Sequence, residues 1–301
     1  MAYKSRTEPD KLIILRLLNT RMTLTEKDSQ HYFSLKKGYE GELMFDAMTE
    51  ELQRDCYILN DLLFRFNNTM FQIDSMIIFS EKICFYEVKN FEGDYFCESD
   101  RLYKVPRTEY NNPLHQIYRS ESLLRQLLQH IGTPLPIEAN VVFINPEFTL
   151  YHAPLDKPFI FPTQVKSYLK KLDMTPSKLT GKHKKLADQL ISLHSEENPY
   201  TLLPAYEYGQ LSKGITCQAC SSFSISVHGH YCVCGDCEQE ELVTVAVLRS
   251  VREYMLLFPG EKITTNIIYD WCGGVIDKKT IRRVLLKNFN KIGTHQWTYY
   301  E

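Results

Sequence analysis

Two short segments of this chain give the strongest indication of its fold: Phe71-Gln72-Ile73-Asp74-Ser75 and Tyr86-Glu87-Val88-Lys89. Each lies in a stretch rich in Ile, Phe and Tyr, and the polar Ser80-Glu81-Lys82 between them predicts two β-strands joined by a turn. Because side chains along a strand alternate between its faces, Glu87 and Lys89 project to the same side. That side is otherwise apolar, and an ionisable pair is costly to bury there unless its charge is compensated.

The two strands bring an aspartate close to this pair. If Glu81-Lys82 forms the tip of a hairpin, Asp74 lies directly opposite Lys89 and diagonal to Glu87. A shift of one residue would move Asp74 to the other face. Converging carboxylates suit Mg²⁺ or Mn²⁺, and a nearby lysine can position an attacking water and neutralise a phosphate. The pattern therefore indicates phosphodiester hydrolysis; the alternative is two strands with surface carboxylates and an incidental Glu-x-Lys.

The surrounding chain alternates helix and strand, which predicts an α/β fold with a mixed β-sheet flanked by helices. A helical stripe of Leu43, Met44, Ala47, Met48 and Leu52 precedes the first strand, and Asn112-Pro113 marks the entry to a long helix. The predicted strands are Tyr57–Leu59, Phe71–Phe79, Ile83–Lys89 and Ala139–Ile144, and the predicted helices are Leu114–Ile131, Gln164–Leu172 and Lys182–Leu193.

Four sequence blocks, taken together, resemble the nuclease-related domain (NERD) over residues 34–150. They occur in the order typical of that family, and the combination is more specific than any single block. The blocks are Gly38-Tyr39-Glu40-Gly41-Glu42, Gln72-Ile73-Asp74, Glu87-Val88-Lys89-Asn90-Phe91-Glu92-Gly93 and Asn112-Pro113-Leu114-His115-Gln116.

The resemblance implies a restriction-endonuclease-like core of the PD-(D/E)xK type. It assigns Asp74 and Glu87 as metal ligands, Lys89 as the catalytic lysine and Gln116 to the edge of the site. It also makes Glu42 a catalytic carboxylate on a helix. A helical wheel does not support that assignment, because Glu42 falls nearly opposite the Leu43 to Met48 stripe. The chain also departs from the family pattern, since an isoleucine and not a proline precedes Asp74.

Cysteine spacing indicates a second metal site. Cys217-Gln218-Ala219-Cys220 and Cys234-Gly235-Asp236-Cys237 are separated by thirteen residues, and two such knuckles are typical of a zinc ribbon with a structural Zn²⁺. The intervening Phe223–Tyr231 is predicted to form a short hairpin. Cys232 is a weaker fifth candidate ligand, and His228 and His230 rank lower still. An odd total of nine cysteines argues against a disulfide framework.

The C-terminal segment combines helices with a short aromatic hairpin. Asp277 caps a predicted helix over Lys278–Asn288, and Lys291–Tyr300 is predicted to form the hairpin. This order resembles a winged helix-turn-helix, in which a cationic helix is offered to a nucleic-acid groove. The alternatives are a packed helical cap with a solvated basic face, or a protein-interaction module. The candidate nucleic-acid contacts are Lys278, Lys279, Arg282, Arg283 and Lys287, whereas Ile281, Val284, Leu285 and Leu286 are available for the core.

Composition sets the outer bounds. Hydrophobic residues make up 44% of the 301 residues and charged residues 24%, a globular balance, and the net charge of -2 means that any anion-binding surface is local. No apolar run is long enough for a membrane span, and Met1–Asp10 is polar, so we expect a cytoplasmic protein without a membrane partner. The predicted domains are a helical lead-in (1–33), the nuclease-related domain (34–150), a helical connector (151–212), the zinc ribbon (213–240) and the winged-helix-like domain (241–301).

Two functions follow from this organisation. The first is a metal-dependent nuclease, directed to nucleic acid, in particular DNA, by the zinc-ribbon and winged-helix modules. The second is a non-catalytic DNA-binding or regulatory protein that uses a nuclease-like fold as a scaffold. Cleavage that requires a protein partner is a third possibility, and the sequence does not decide it. The presence of Asp74, Glu87 and Lys89 together favours hydrolysis.

Overall fold

The computed structural model describes residues 1–195 and 203–301. Its contacts divide into two compact units, Met1–Glu8 with Phe33–Thr201 (unit 1) and Pro9–Tyr32 with Leu202–Glu301 (unit 2). The helices are α1 (Asp10–Arg21), α2 (Glu26–Thr49), α3 (Pro113–His130), α4 (Pro162–Asp173), α5 (Gly181–Ser192), α6 (Val243–Leu257), α7 (Thr265–Trp271) and α8 (Lys278–Asn288). None of the helices in the described ranges is both long and apolar enough to cross a bilayer.

Both units contain β-strands. In unit 1 they are β1 (Tyr57–Phe66), β2 (Thr69–Ile78), β3 (Ile83–Lys89), β4 (Gly93–Glu98), β5 (Arg101–Lys104), β6 (Thr108–Tyr110), β7 (Ile137–Phe143), β8 (Phe148–Tyr151) and β9 (Phe159–Ile160). In unit 2 they are β10 (Ile225–His228), β11 (Tyr231–Cys234), β12 (Glu240–Leu242), β13 (Lys291–Ile292) and β14 (Tyr299–Tyr300).

Unit 1 is built on a five-stranded mixed sheet with the order β1-β2-β3-β7-β9. The first three strands are antiparallel, whereas β7 runs parallel to β3 and β9 runs parallel to β7. A second sheet, with the order β6-β5-β4-β8, contributes Tyr95, Leu102 and Phe148 to the same core. The predicted mixed sheet is therefore confirmed, whereas the second sheet was not predicted from its short strands.

Helices cover both faces of the main sheet, as predicted. One face packs against α3 and α5 through a core that includes Leu124 and Leu190. The other face packs against α2 and α4 through Phe45 and Leu169. Helix α3 begins where predicted, because the Asn112 side chain accepts a hydrogen bond from the Leu114 amide at 3.0 Å.

Strand β1 extends further than the predicted Tyr57–Leu59. It continues to Phe66, which pairs directly with Thr69 across a two-residue turn. Asn67 and Asn68 form that turn with φ of 47° and 57°. Asparagine tolerates this left-handed backbone, and two such residues match the twist of a tight hairpin. The Asn-Asn pair was therefore the signal for a hairpin that hydrophobic pattern alone did not identify.

Unit 2 combines α1, a three-stranded sheet (β10-β11-β12), the helices α6 to α8 and the short β13–β14 pair. Its core includes the fully buried Trp271 together with Ile281, Val284 and Leu285 of α8. Leu286 was predicted to be available for this core but is 48% exposed. Helix α8 has the predicted bounds, because the Asp277 side chain accepts a hydrogen bond from the Thr280 amide at 2.9 Å.

Candidate active site

Strands β2 and β3 place Asp74 and Glu87 side by side. Their observed pairs include Ser75 with Tyr86 and Ile78 with Ile83, and this register continued by one residue sets Asp74 across from Glu87. The predicted register, with Asp74 opposite Lys89, is therefore wrong by two residues. The turn is centred on Ser80 and Glu81, and the Phe79 amide donates to the Lys82 carbonyl at 2.9 Å. A shift of two residues preserves the face of every side chain, so Asp74 still projects with Glu87.

The backbone of β2 is irregular at Asp74. Phe71 and Ile73 contact the same apolar cluster as Met76 and Ile78, so the alternation of faces changes phase between the two pairs. On the facing strand β1, Asp61 has a φ of 54°. The Asp74 carboxylate reaches the neighbouring strand, where it accepts a hydrogen bond from the Val88 amide at 2.8 Å. Local breaks of this kind re-aim side chains beside functional sites.

Both carboxylates are buried. Asp74 is 5% exposed and Glu87 is 3% exposed. Burial, reinforced by the charge of Asp74, raises the pKa of Glu87 to about 8. Burial also raises the pKa of Asp74, although the charge of Lys89 and the Val88 amide act against that rise. The raised pKa values mean that the protein surroundings only partly compensate the negative charge of the ionised pair.

Lys89 supplies the cation of this site. Its Nζ donates to Glu87 Oε1 at 2.5 Å and to Gln116 Oε1 at 3.4 Å. Burial lowers the pKa of Lys89, but the charges of Glu87 and Asp74 raise it on balance above its usual value. The ammonium group is thus held between β3 and the first turn of α3, and its side chain is 22% exposed.

Glu42 also reaches the site, from the face of α2 that packs against the sheet. Leu43 and Met44 are 42% and 44% exposed, whereas Met48 and Leu52 pack against the core. The buried face of α2 is therefore rotated relative to the predicted stripe, and the inference from the helical wheel was wrong for Glu42. Burial, together with the charge of Asp74, raises the pKa of Glu42 to about 8. The inner face of α2 therefore combines the fully buried Phe45 with polar residues that border the acidic site, including buried Asp46 one turn after Glu42.

A glycine allows α2 to approach this closely. A Cβ added at Gly41 would lie 2.5 Å from the Cβ of Asn90, which follows β3. The Asn90 side chain also donates to the carbonyl of Lys37 on α2 at 2.7 Å. In contrast, a Cβ at Gly38 would meet nothing within 4 Å. Gly41 therefore sets the distance between α2 and the end of β3, and with it the position of Glu42.

Arg6 also borders the candidate site, although no sequence pattern predicts it. Its guanidinium donates to Glu42 at 2.6 Å, to Asp46 at 2.8 and 3.1 Å, and to the Asp74 carbonyl at 2.6 Å. The side chain is 2% exposed. The N-terminal segment that carries Arg6 runs alongside β1, and the Asn60 amide of β1 donates to the carbonyl of Lys4 at 2.9 Å. No local signal marks Arg6, because its partners are far away in sequence.

The acidic residues form an open ligand set. Among the described residues, only the cysteine cluster brings three or more Asp, Glu, His or Cys donor atoms within 4.8 Å of one another. This openness suits Mg²⁺, which takes one or two protein carboxylates and keeps several waters. The buried, incompletely compensated charge of Asp74 and Glu87 also fits a divalent cation. Arg6 already neutralises part of the charge on Glu42.

The four predicted cysteine ligands converge in unit 2. The Sγ atoms of Cys217 and Cys237 are 3.5 Å apart, and those of Cys220 and Cys234 are 3.6 Å apart. This cluster could hold a zinc ion, as predicted. Cys232 is instead buried in the apolar core of unit 2. The predicted hairpin is displaced, because its turn lies at Gly229, between β10 and β11.

Backbone amides support the cysteine knuckles. The Ala219 amide donates to the sulfur of Cys217 and the Asp236 amide to that of Cys234, both at 3.4 Å. Burial opposes ionisation of Cys217, but the amides of Cys220 and Ala219, together with neighbouring thiols, lower its pKa to about 7. The Gln239 amide favours ionisation of Cys237, but hydrogen bonds with the other thiols raise the pKa of Cys237 to about 12, so the first thiolate of the metal-free cluster forms at Cys217. Such amides favour the thiolate form that binds metal.

The basic residues of α8 remain exposed. None of them forms an ion pair within the ranges 1–195 and 203–301, although Lys278 donates to the side chain of Asn266 at 2.8 Å. The β13–β14 pair follows α8, and Tyr300 of β14 also pairs with Ile263 ahead of α7. The exposed cations of this surface are Lys278, Lys279, Arg282, Arg283 and Lys287.

Comparison with known proteins identifies one region. Residues 37–144 match the family model of the nuclease-related domain (NERD). The match runs from within α2 to the end of β7, so it includes the candidate residues Glu42, Asp74, Glu87, Lys89 and Gln116. It excludes the cysteine cluster and α8. No curated protein and no solved structure matches the chain. The predicted resemblance is thus confirmed for the nuclease-related region.

Proposed function

We propose that this protein, with its nuclease-related region, is a metal-dependent nuclease that hydrolyses phosphodiester bonds in DNA. The observation that carries the proposal is the arrangement of Asp74, Glu87 and Lys89 on adjoining strands. Two buried carboxylates and one partly exposed ammonium group meet there beside an opening. An ion pair with a purely structural role would need only Glu87 and Lys89. Here the Asp74 carboxylate also lies close, and burial together with its charge raises the pKa of Glu87.

Asp74 and Glu87 would hold Mg²⁺ or Mn²⁺. When bound, such an ion polarises the phosphodiester and makes a coordinated water more acidic. The carboxylates keep their orientation without the ion, since the Val88 amide holds Asp74 and Lys89 holds Glu87. Their raised pKa values imply that metal binding releases protons, so metal affinity should increase with pH up to about 8.

Lys89 and Gln116 would act on the substrate. The ammonium group of Lys89 can orient the attacking water and neutralise a non-bridging oxygen of the phosphate as negative charge develops on it. Gln116 Oε1 accepts from Lys89 and so holds the lysine at the mouth of the site. Glu42 would assist as the helix carboxylate, with its charge moderated by Arg6. These roles assign hydrolysis to unit 1.

Unit 2 would deliver the nucleic acid. We assign a structural Zn²⁺ to Cys217, Cys220, Cys234 and Cys237, and a winged-helix-like DNA-binding role to α6–α8 with the β13–β14 pair. Five exposed cations distributed along α8 can neutralise phosphates without losing an existing ion pair. The Zn²⁺ would stabilise the fold of the ribbon and take no part in the chemistry, because four thiolates leave no open coordination position.

The proposal is tested by cleavage of labelled DNA with Mg²⁺ or Mn²⁺. Wild-type protein is compared with Glu87→Gln and Lys89→Met, and with Glu138→Gln as a matched control. Glu138 lies on β7 and forms an ion pair with Lys82, but its side chain is 51% exposed and it lies outside the candidate site. We expect both site variants to lose at least about 100-fold in rate and the control to keep its rate. Equal cleavage by Glu87→Gln and wild-type protein would refute the assignment. DNA binding without metal-dependent cleavage would favour the non-catalytic alternative.

A further inference from the structure

A cleft opens directly beside the candidate catalytic lysine. Its volume is about 470 Å³, and Lys89, Phe91, Tyr110, Asn111, His115 and Gln116 contribute to its walls. Clefts of roughly 300–1,000 Å³ commonly bind small molecules or parts of larger ligands. Asp74 and Glu87 do not line it. The cleft therefore lies next to the candidate metal ligands. Lys89 connects the two, because it lines the cleft and also donates a hydrogen bond to Glu87.

An aromatic wall borders the cleft. Tyr110 is 37% exposed, and its ring makes edge contacts with Phe91 and Tyr95 at centroid distances of 5.8 and 5.4 Å. Phe91 in turn stacks on Tyr95 at 5.2 Å. Tyr110 pairs with Leu102 at the edge of the second sheet, on the side that faces the core. Its ring is consequently held in place by packing while part of its surface stays open to solvent.

Polar side chains complete the cleft. Asn111, His115 and Gln116 are exposed. In the described parts of the chain, the side chains of Asn111 and His115 make no hydrogen bond, and Gln116 uses only its Oε1, towards Lys89. Donors and acceptors thus remain available along one wall, with an aromatic ring and an ammonium group nearby. A flat heteroaromatic ring with a polar edge and an adjoining phosphate would use all three features.

We propose that this cleft binds the base of one unpaired nucleotide, stacked on Tyr110, next to the phosphate that Lys89 contacts. The inference rests on the proposed function and deepens it by naming the substrate class: single-stranded nucleic acid, including frayed ends. A base within a duplex is stacked on both sides and reaches a concave pocket only after it is flipped out, which costs free energy. Discrimination against intact duplex follows from the shape of the cleft.

The test measures binding of a labelled single strand of about eight nucleotides, a length in the range of single-strand sites. A duplex of the same sequence serves for comparison. All proteins carry Glu87→Gln so that the oligonucleotide stays intact. On this background Tyr110→Leu removes the ring and keeps an apolar side chain, whereas Tyr110→Phe keeps the ring. Tyr118→Leu is the matched control, because Tyr118 is 44% exposed on α3 and does not line the cleft.

We expect Tyr110→Leu to weaken single-strand binding by about 5- to 150-fold, the cost of losing one base–aromatic stack. Tyr110→Phe and Tyr118→Leu should bind like the parent, and duplex affinity should not change. A scan of single abasic positions should find one position that weakens binding by the parent protein and has no further effect in Tyr110→Leu. That non-additivity separates stacking from a general loss of stability.

Equal single-strand affinity of the parent and Tyr110→Leu would overturn the inference, as would an abasic scan of the parent without a sensitive position. The scan needs only the parent protein, so it decides the question even if Tyr110→Leu does not fold. Tyr110-dependent binding without any cleavage by wild-type protein would leave the nucleotide cleft standing and reject the nuclease. If Tyr110→Leu with Glu87 intact cleaves at the wild-type rate, and Tyr110→Leu in the Glu87→Gln protein binds with unchanged affinity, the nuclease is retained and the cleft is rejected.

Discussion

Replacing Glu87 with glutamine should make the metal-free protein more stable at neutral pH, although the same change should abolish cleavage. Glutamine has nearly the same shape and can still accept the hydrogen bond from Lys89, but it carries no charge to bury. The prediction follows from the buried position of Glu87, 3% exposed, beside the second carboxylate of Asp74. Site residues that cost stability are expected where function requires charge in an enclosed position.

The magnitude follows from the pKa of Glu87, which rises from its usual 4.5 to about 8. Between these values the native state binds more protons than the unfolded state, so stability falls as pH rises. Each pH unit in this window costs about 1.4 kcal/mol, which gives an upper end of about 3 kcal/mol at pH 7. Because Asp74 shares the same repulsion, we expect Glu87→Gln to gain about 1–3 kcal/mol at pH 7 and less than about 1 kcal/mol at pH 5.

The assay is urea unfolding in the presence of a chelator, at pH 7 and pH 5, followed by far-UV circular dichroism. Tryptophan fluorescence follows unit 2 in the same samples, because both tryptophans, Trp271 and Trp297, lie there. Glu138→Gln, at its half-exposed position, should stay within about 0.5 kcal/mol of wild type.

Mg²⁺ should reverse the order of stability. An ion that binds only the native site stabilises the wild type by mass action and leaves Glu87→Gln unaffected. Two results would refute the reasoning: no gain in stability for Glu87→Gln at pH 7, or a gain of the same size at pH 5. Either would mean that the carboxylate is not destabilised by burial, and the electrostatic argument for a cation site would lose its basis.

Three further perturbations address the rest of the molecule. Gly41→Ala would place a methyl group 2.5 Å from the Cβ of Asn90 and should destabilise unit 1 by about 1–3 kcal/mol. Gly38→Ala, whose new methyl group would meet nothing within 4 Å, should stabilise unit 1 by up to about 1 kcal/mol. Urea unfolding followed by circular dichroism measures both changes, and equal effects would contradict the close approach of α2 to the end of β3. Cys217→Ser should lower the zinc content and the urea midpoint of the tryptophan fluorescence transition, and unchanged zinc content would exclude this cysteine as a ligand. Arg282→Ala should reduce the slope of log affinity for DNA against log salt by about 1, while Lys166→Ala, an exposed residue of α4, should not change it.

Local patterns were sufficient for much of the fold and part of the site. Alternation along β3 placed Glu87 and Lys89 on one face, and the Asp277 cap defined the start of α8. These features depend on neighbours in sequence, so a single sequence can reveal them. The hairpin register was harder, because Ser80-Glu81-Lys82 has no strong turn preference and the turn position decides which residue lies opposite Asp74.

The wrong orientation predicted for Glu42 and the absence of any prediction for Arg6 share one physical cause. The wheel for α2 took the most apolar face as the buried one, a rule that holds where a helix packs against a hydrophobic core. Here the inner face carries Glu42 and Asp46 beside the apolar Phe45, and a buried guanidinium from Arg6 compensates the two carboxylates. No sequence pattern within α2 can reveal a cation that the N-terminal segment supplies. A site that must hold charge places ionisable residues inside the protein, against the usual distribution of polar residues. The wrong prediction from the hydrophobic pattern of α2 is therefore itself an indication of function.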